Sequence, residues 1–111
     1  MNFPKDENGD IFRRMQASNF DFTKQHDVEF FAVFRTEEAA DSVAMEFVAD
    51  RKAGEHLANI ETRPADSGGM ELELVKRMIV THEAVTEFEK RLASRVSKHD
   101  GYVAGWGVLQ Q

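Results

Sequence analysis

The sequence predicts an α+β domain of ferredoxin-like type, with the order β-α-β-β-α-β, a four-stranded antiparallel sheet and an additional helix before the first strand. Two amphipathic helical patterns alternate with segments rich in Val, Phe and Leu, and a loop containing Pro64, Gly68 and Gly69 separates the two middle segments. Basic residues followed by glycine end both helical patterns. Because a chain of 111 residues has room for one hydrophobic core, we expect a single domain over residues 1–111.

The amino-terminal element is predicted to be a short helix ending near Ser18, because Ile11, Phe12 and Met15 recur on one side of a helical pattern. Residues 28–34 are apolar at both alternating sets of positions, which is typical of a strand covered on both faces. We therefore expect this first strand to lie inside the sheet.

Two further helices are predicted to cover the sheet, and each begins after a threonine whose hydroxyl can cap it, Thr36 and Thr81. Gly54 and Gly101 follow basic residues and end these helices. Their apolar residues recur at intervals of three and four. They are Ala40, Val43, Ala44, Phe47 and Val48 in one helix and Val85, Phe88, Leu92 and Val96 in the other.

Three more strands complete the predicted sheet. A weaker strand over residues 56–63 precedes one that starts near Met70, in which apolar residues alternate with Glu71 and Glu73. This alternation predicts one buried and one wet face. The last strand is predicted over residues 102–109, and in the ferredoxin-like topology the first and third strands are central.

The balance of charge restricts the kind of partner. The chain has 14 basic and 20 acidic residues and a formal net charge of −6 at pH 7. This charge repels phosphate backbones and anionic membranes, so we expect a partner with a basic segment and no direct nucleic-acid or membrane binding. The amino end lacks a signal-peptide pattern, and no apolar run approaches the ~20 residues of a membrane helix, so we expect a cytoplasmic protein. The sequence predicts no particular oligomeric state.

No arrangement of side chains indicates catalysis. None of the four histidines forms a His-x-His or His-x-x-x-His pair, and we expect His82 to be a solvated surface residue. Glu71 and Glu73 share a strand face, but alternation with apolar residues indicates a charged surface rather than an acid–base pair. Gly105 and Gly107 lack the helix that follows a phosphate-binding loop. We therefore predict no catalytic residue, no metal ligand and no cofactor.

The sheet face without the two covering helices is open to two interpretations. Phe31, Val33, Tyr102 and Trp106 are placed on or near it. A bare aromatic patch promotes aggregation, so we favour a face covered by the amino-terminal helix. That cover would use Ile11, Phe12 and Met15 together with Phe20 and Phe22. An exposed partner site is the alternative.

Four stretches carry a family resemblance. They are residues 9–15 (GDIFRRM), 18–23 (SNFDFT), 27–40 (DVEFFAVFRTEEAA) and 101–107 (GYVAGWG). In order and spacing they resemble the regulator of ribonuclease E activity B family, over residues 9–107. The resemblance implies a ferredoxin-like fold and a protein inhibitor that binds ribonuclease E away from its catalytic centre and alters RNA turnover. The family usually has Tyr-Asp-Gly-Trp-Gly near its end. Val103 and Ala104 replace the Tyr and Asp here, so any contact of that carboxylate is absent.

The sequence thus predicts a non-catalytic regulator that binds a basic protein segment, with ribonuclease E as the candidate partner. Exposed ion pairs contribute only about 0–1 kcal/mol each, so several acidic residues and an aromatic anchor must act together. The candidate partner surface is Glu37, Glu38, Asp41, Glu71, Glu73 and Trp106. Two alternatives remain: an RNA-binding module with aromatics on the central strands, and a small-ligand-binding or enzymatic domain with a deep pocket.

Overall fold

The computed structural model of the chain describes residues 3–109 and confirms the predicted fold. Its elements are α1 (Glu7–Ala17), β1 (Gln25–Phe34), α2 (Glu37–Lys52), β2 (Leu57–Pro64), β3 (Met70–Ile79), α3 (His82–Ser97) and β4 (Tyr102–Val108). The four strands form one antiparallel sheet in the order β2-β3-β1-β4. Strands β1 and β3 are therefore central, and β2 and β4 are the edges.

Strand β1 is internal, as its two-sided apolar pattern predicts. Alternate residues from Val28 to Phe34 are buried, whereas Phe31 and Val33 are only partly buried on the opposite face. The strand begins at Gln25, earlier than its apolar pattern indicates. Its polar first residues are held there because they pair with the end of β3, starting with Gln25 opposite Ile79.

Helices α2 and α3 lie on the face of the sheet where the alternate residues of β1 are buried. Both begin at the predicted caps: the Thr36 hydroxyl accepts a hydrogen bond from the Ala39 amide at 3.2 Å, and the Thr81 hydroxyl accepts one from the Ala84 amide at 3.0 Å. These caps fix where each helix starts, and hence which of its residues face the sheet.

Three aromatic rings meet at the centre of the core. The Phe88 ring centroid of α3 lies 4.4 Å from that of Phe30 in β1 and 5.7 Å from that of Phe47 in α2. Burial of large rings and aliphatic side chains is the main force that holds the helices to the sheet. The other fully buried side chains include Val28, Val43, Leu72, Leu74, Val85 and Leu92.

Helix α1 packs beside α3 on the helix-covered side of the sheet, so the expectation that it covers the other face is wrong. Phe12 of α1 is fully buried, and its ring lies 5.7 Å from that of Trp106 and 5.9 Å from that of Phe22. The Asn8 amide donates hydrogen bonds to α3, at 2.7 Å to Glu89 and at 3.1 Å to the Thr86 hydroxyl. The apolar side of α1 therefore packs against α3 and β4.

A bulge in β4 reverses the direction of its later side chains. Phe31 lies opposite Gly105 and Ala32 opposite Val103, which leaves Ala104 as an extra residue. Gly105 has φ +134, a conformation that residues with side chains rarely adopt. Because of the extra residue, Trp106 faces the helices rather than sharing the face of Tyr102.

Candidate functional site

The second face of the sheet, here called the open face, carries no helix among residues 3–109, since α1, α2 and α3 all contact the other face. The pairing of the strands identifies its residues. They are Asp27, Glu29, Phe31 and Val33 of β1, Asn59, Glu61 and Arg63 of β2, Glu71, Glu73, Val75 and Arg77 of β3, and Tyr102, Gly105 and Gly107 of β4.

Arg63 is the centre of a group of carboxylates on the open face. Its guanidinium lies 2.8 Å from Glu61, 2.8 Å from Glu71 and 3.2 Å from Glu73. The hydrogen bonds that Arg63 donates to these three carboxylates raise the pKa of its guanidinium, so it stays charged. The Glu71 and Glu73 side chains are 27% and 14% exposed, less than their alternation with apolar residues predicts. Arg63 shields both of them from water.

Glu29 adds a further carboxylate beside Glu73. Burial, and then the neighbouring Glu73 charge, raise the pKa of the Glu29 carboxyl. Within residues 3–109, no basic side chain lies within ion-pair distance of Glu29. Close carboxylates on neighbouring strands repel each other, so this part of the face favours a cation supplied from outside.

The open face is negatively charged as a whole. Five carboxylates stand on it against two guanidinium groups, those of Arg63 and Arg77. Phe31 lies directly opposite Glu73 on the two central strands, where an RNA-binding sheet would carry a second aromatic residue. Carboxylates at that position repel phosphates, and the open face therefore disfavours the RNA-binding alternative.

The six residues predicted as a partner surface fall in three places. Glu71 and Glu73 are on the open face, whereas Glu37, Glu38 and Asp41 are exposed at the start of α2 on the other side of the sheet. Asp41 there accepts a hydrogen bond from the Thr62 hydroxyl at 3.3 Å. Trp106 is packed against Phe12, and its indole N–H donates to Asn8 at 2.9 Å. Unlike Trp106, Tyr102 lies on the open face, where it is 59% exposed.

A second charged group, which the sequence did not predict, joins α2 to α3. Glu55 accepts hydrogen bonds from Arg91 at 2.5 and 2.8 Å and from Lys76 at 2.7 Å. Asp50 pairs with Arg95 at 2.6 Å. The Arg91 and Arg95 guanidiniums also lie over the Phe88 and Phe47 rings, at 4.8 and 4.5 Å from the centroids. This group closes the edge of the core.

Acid is expected to weaken the link made by Glu55. The hydrogen bonds from Arg91, followed by those from Lys76, lower the pKa of the Glu55 carboxyl to about 2. A carboxyl whose pKa is lower in the folded state contributes its full stabilisation above its unfolded pKa of about 4.5, and that contribution disappears as the pH falls from there towards 2.

The Glu55→Gln variant tests this link. It should be less stable than the wild type by about 1–3 kcal/mol at pH 7, because the charge-assisted hydrogen bonds of Glu55 with Arg91 and Lys76 are lost. The difference between the two proteins should shrink towards pH 2 in urea unfolding experiments. A difference that stays constant from pH 7 to pH 2 contradicts the assigned role of Glu55.

His82 is not the solvated residue that the sequence predicts. Its Nε2 lies 3.0 Å from Asp6, the residue that caps α1, and its ring centroid is 5.9 Å from that of Phe12. Its side chain is only 18% exposed, so His82 helps to hold α1 against α3. Over residues 3–109, no group of three or more His, Cys, Asp or Glu residues could hold a metal ion. No helix in the same range is long and apolar enough to cross a membrane.

Comparisons with known proteins agree with both the fold and the resemblance. The sequence model of the family described as "Regulator of ribonuclease activity B" matches residues 5–108. A solved structure with a similar fold is the C-terminal domain of the MgtC protein from Mycobacterium tuberculosis, with a TM-score of 0.51 and 21% sequence identity. That likeness covers 78% of this chain and 90% of the other, and it shows the fold alone. No curated protein matches the sequence.

Proposed function

Because the chain belongs to the regulator of ribonuclease activity B family, we propose that it regulates a ribonuclease by binding a basic segment of that enzyme, without catalysing a reaction itself. The family match supports regulation of ribonuclease activity. Binding to a basic segment of the enzyme is our proposal beyond that match, and so is the identity of the enzyme, for which we propose ribonuclease E.

The negatively charged open face is the observation that carries this proposal. Its carboxylates outnumber its guanidiniums, and Glu29 lacks a basic partner among residues 3–109. Arginine or lysine side chains of a partner fit such a face by charge. Complementary charge chiefly accelerates association and prevents binding of wrong partners, so binding should weaken as salt rises.

Tyr102 is the proposed aromatic anchor in place of Trp106. Its side chain is exposed and lies opposite Val33 at the border of the open face. A tyrosine ring gives a partner apolar contact area and a surface on which an arginine can stack. Trp106 is half-buried against α1 on the other face of the sheet and is therefore not part of the open face.

Neutralising the open face should weaken binding more than neutralising the start of α2. The double variant Glu71→Gln/Glu73→Gln keeps the shape of both side chains and removes their two charges. We expect its Kd for ribonuclease E to rise roughly 5- to 30-fold, a loss of about 1–2 kcal/mol of binding free energy. Most of the change should appear in the association rate, measured by surface plasmon resonance at low salt. Glutamine is preferable to lysine here because a lysine beside Arg63 would disturb the fold.

The matched control is Glu37→Gln/Glu38→Gln, which removes the same charge from exposed residues on the other side of the molecule. It should leave the Kd within a factor of about 2, the scale of a single weak surface pair. A larger effect in this control than in the open-face pair would place the partner on α2 instead. No binding by the wild-type chain, at low salt, would refute the proposed function itself.

A further inference from the structure

Strand β4 is an edge strand that lacks charged residues and proline, two of the usual protections against pairing with another chain. Residues 101–109 contain no charged residue, although 31% of the chain is charged. The opposite edge, β2, carries Glu61 and Arg63 and ends at Pro64. Charges and proline are common means of preventing edge-to-edge pairing. The edge of β4 therefore remains available for a further strand.

Gly107 is not required by the fold of this chain. The positive φ of Gly105 explains why a glycine stands there. Gly107 has no positive φ, and a Cβ added to it would meet nothing within 4 Å. A glycine inside a strand costs roughly 0.5–1 kcal/mol relative to alanine. Where neither backbone conformation nor crowding requires it, a strand glycine often marks the close approach of another backbone or ligand.

Gly105 and Gly107 leave a gap between the side chains of β4 on the open face, here called the lane. Gly107 lies opposite Glu29, and Gly105 lies opposite Phe31. Because neither has a side chain, nothing on β4 separates the outer edge of the sheet from Glu29 and its neighbour Glu73 at these positions. A long basic side chain entering from the edge can lie along this lane with its charge at the two carboxylates.

Carboxylates also flank β4 on its other side. A groove of about 570 Å³ runs between α1, α3 and β4. Its lining includes Asp6, Glu7, Ile11, Glu89, Ala104 and Trp106. Burial raises the pKa of the Glu89 carboxyl, which accepts a hydrogen bond from Asn8. A chain running along the edge of β4 thus has acidic groups on both sides of it.

We infer that an extended basic segment of the partner pairs with β4 as a fifth strand of the sheet, an inference that rests on the proposed function. Successive side chains of a strand point to opposite faces. One set crosses Gly107 towards Glu29, and the other enters the groove towards Glu7 and Glu89. Main-chain hydrogen bonds supply affinity, and the alternating charges supply specificity. A second copy of this acidic chain would place carboxylates beside carboxylates, so a basic segment is the better occupant.

The Gly107→Val variant separates binding from folding. Valine favours strands and has room at this position, so the free energy of unfolding should stay the same or rise. Its side chain fills the lane, and we expect the Kd for ribonuclease E to rise at least tenfold. The matched control, Ala58→Val, enlarges the side chain of an exposed residue in the opposite edge strand β2 and should leave the Kd unchanged.

Hydrogen exchange gives an independent readout on the full complex. Amides of β4 that do not pair with β1 should gain protection when the wild-type chain binds ribonuclease E. Binding of Gly107→Val with wild-type affinity, or no added protection in β4, overturns the inference while the proposed function stands. Absence of any binding by the wild type overturns both. Sedimentation showing a wild-type dimer that Gly107→Val dissociates would assign the edge to a second copy instead.

Discussion

Replacing Phe88 with alanine is expected to lower the free energy of unfolding by about 3–5 kcal/mol. Its ring contacts Phe30 and Phe47 at the centre of the core and is covered by the Arg91 guanidinium. Removing it leaves a cavity between the sheet and both helices, which a rigid sheet cannot close. Phe47→Ala should cause a similar loss, because Phe47 is fully buried in the same cluster. Urea unfolding followed by circular dichroism measures both.

The control for this experiment is Met45→Ala, since Met45 is in α2 but 62% exposed. Its effect should stay within about 0.5 kcal/mol, as for most surface substitutions. A loss below about 1 kcal/mol in Phe88→Ala or Phe47→Ala would mean that these helix faces do not form the core.

Replacing Phe12 with alanine should release α1 and destabilise the protein by about 3–5 kcal/mol. Phe12 is fully buried, and its ring meets those of Phe3, Phe22 and Trp106. An isolated helix as short as the 11 residues of α1 is not stable in water, so α1 should unfold once its anchor is lost. The lost helix should be visible by circular dichroism.

Trp106 is a built-in reporter of this release. Its indole is covered by α1 and bonded to Asn8, so its fluorescence should shift to longer wavelength in Phe12→Ala. Arg14→Ala, at an exposed residue of α1, is the control and should leave the emission unchanged. An unshifted emission spectrum in Phe12→Ala would contradict the packing of α1 over Trp106.

Most of the fold could be predicted from the sequence because its signals are local. Thr36 and Thr81 supply caps whose hydrogen bonds involve only the next turn of helix. The apolar stripes of α2 and α3 have only one side that can face a sheet. The two-sided apolar pattern of β1 correctly placed it inside the sheet, with a strand on each of its edges, although its second face carries no helix among residues 3–109.

The position of Trp106 could not be predicted, because it depends on one extra residue. Regular alternation from Tyr102 places Trp106 on the same face, and the bulge at Ala104 reverses that assignment. The error carried over to α1. Once Trp106 faces the helices, it gives Phe12 an aromatic partner on that side, and α1 packs there.

The candidate site was predictable only in part. Glu71 and Glu73 belong to one strand, so their shared face follows from sequence spacing alone. Arg63 and Glu29 come from the strands on either side, and only the register of three strands brings them together. A sequence shows neither that register nor the shielding of Glu73 by Arg63.

Titration of the purified chain into a fixed concentration of ribonuclease E, with cleavage of a test RNA as the readout, tests most directly whether this protein regulates a ribonuclease by binding it. The cleavage rate should fall to a plateau at a chain concentration set by the enzyme, and raising the RNA concentration should not restore it. The effect should weaken as salt rises past ~0.15 M, where the Debye length is about 8 Å. An unchanged cleavage rate at low salt would contradict regulation of the ribonuclease by binding, whereas inhibition that added RNA abolishes would place the contact at an RNA-binding surface of the enzyme.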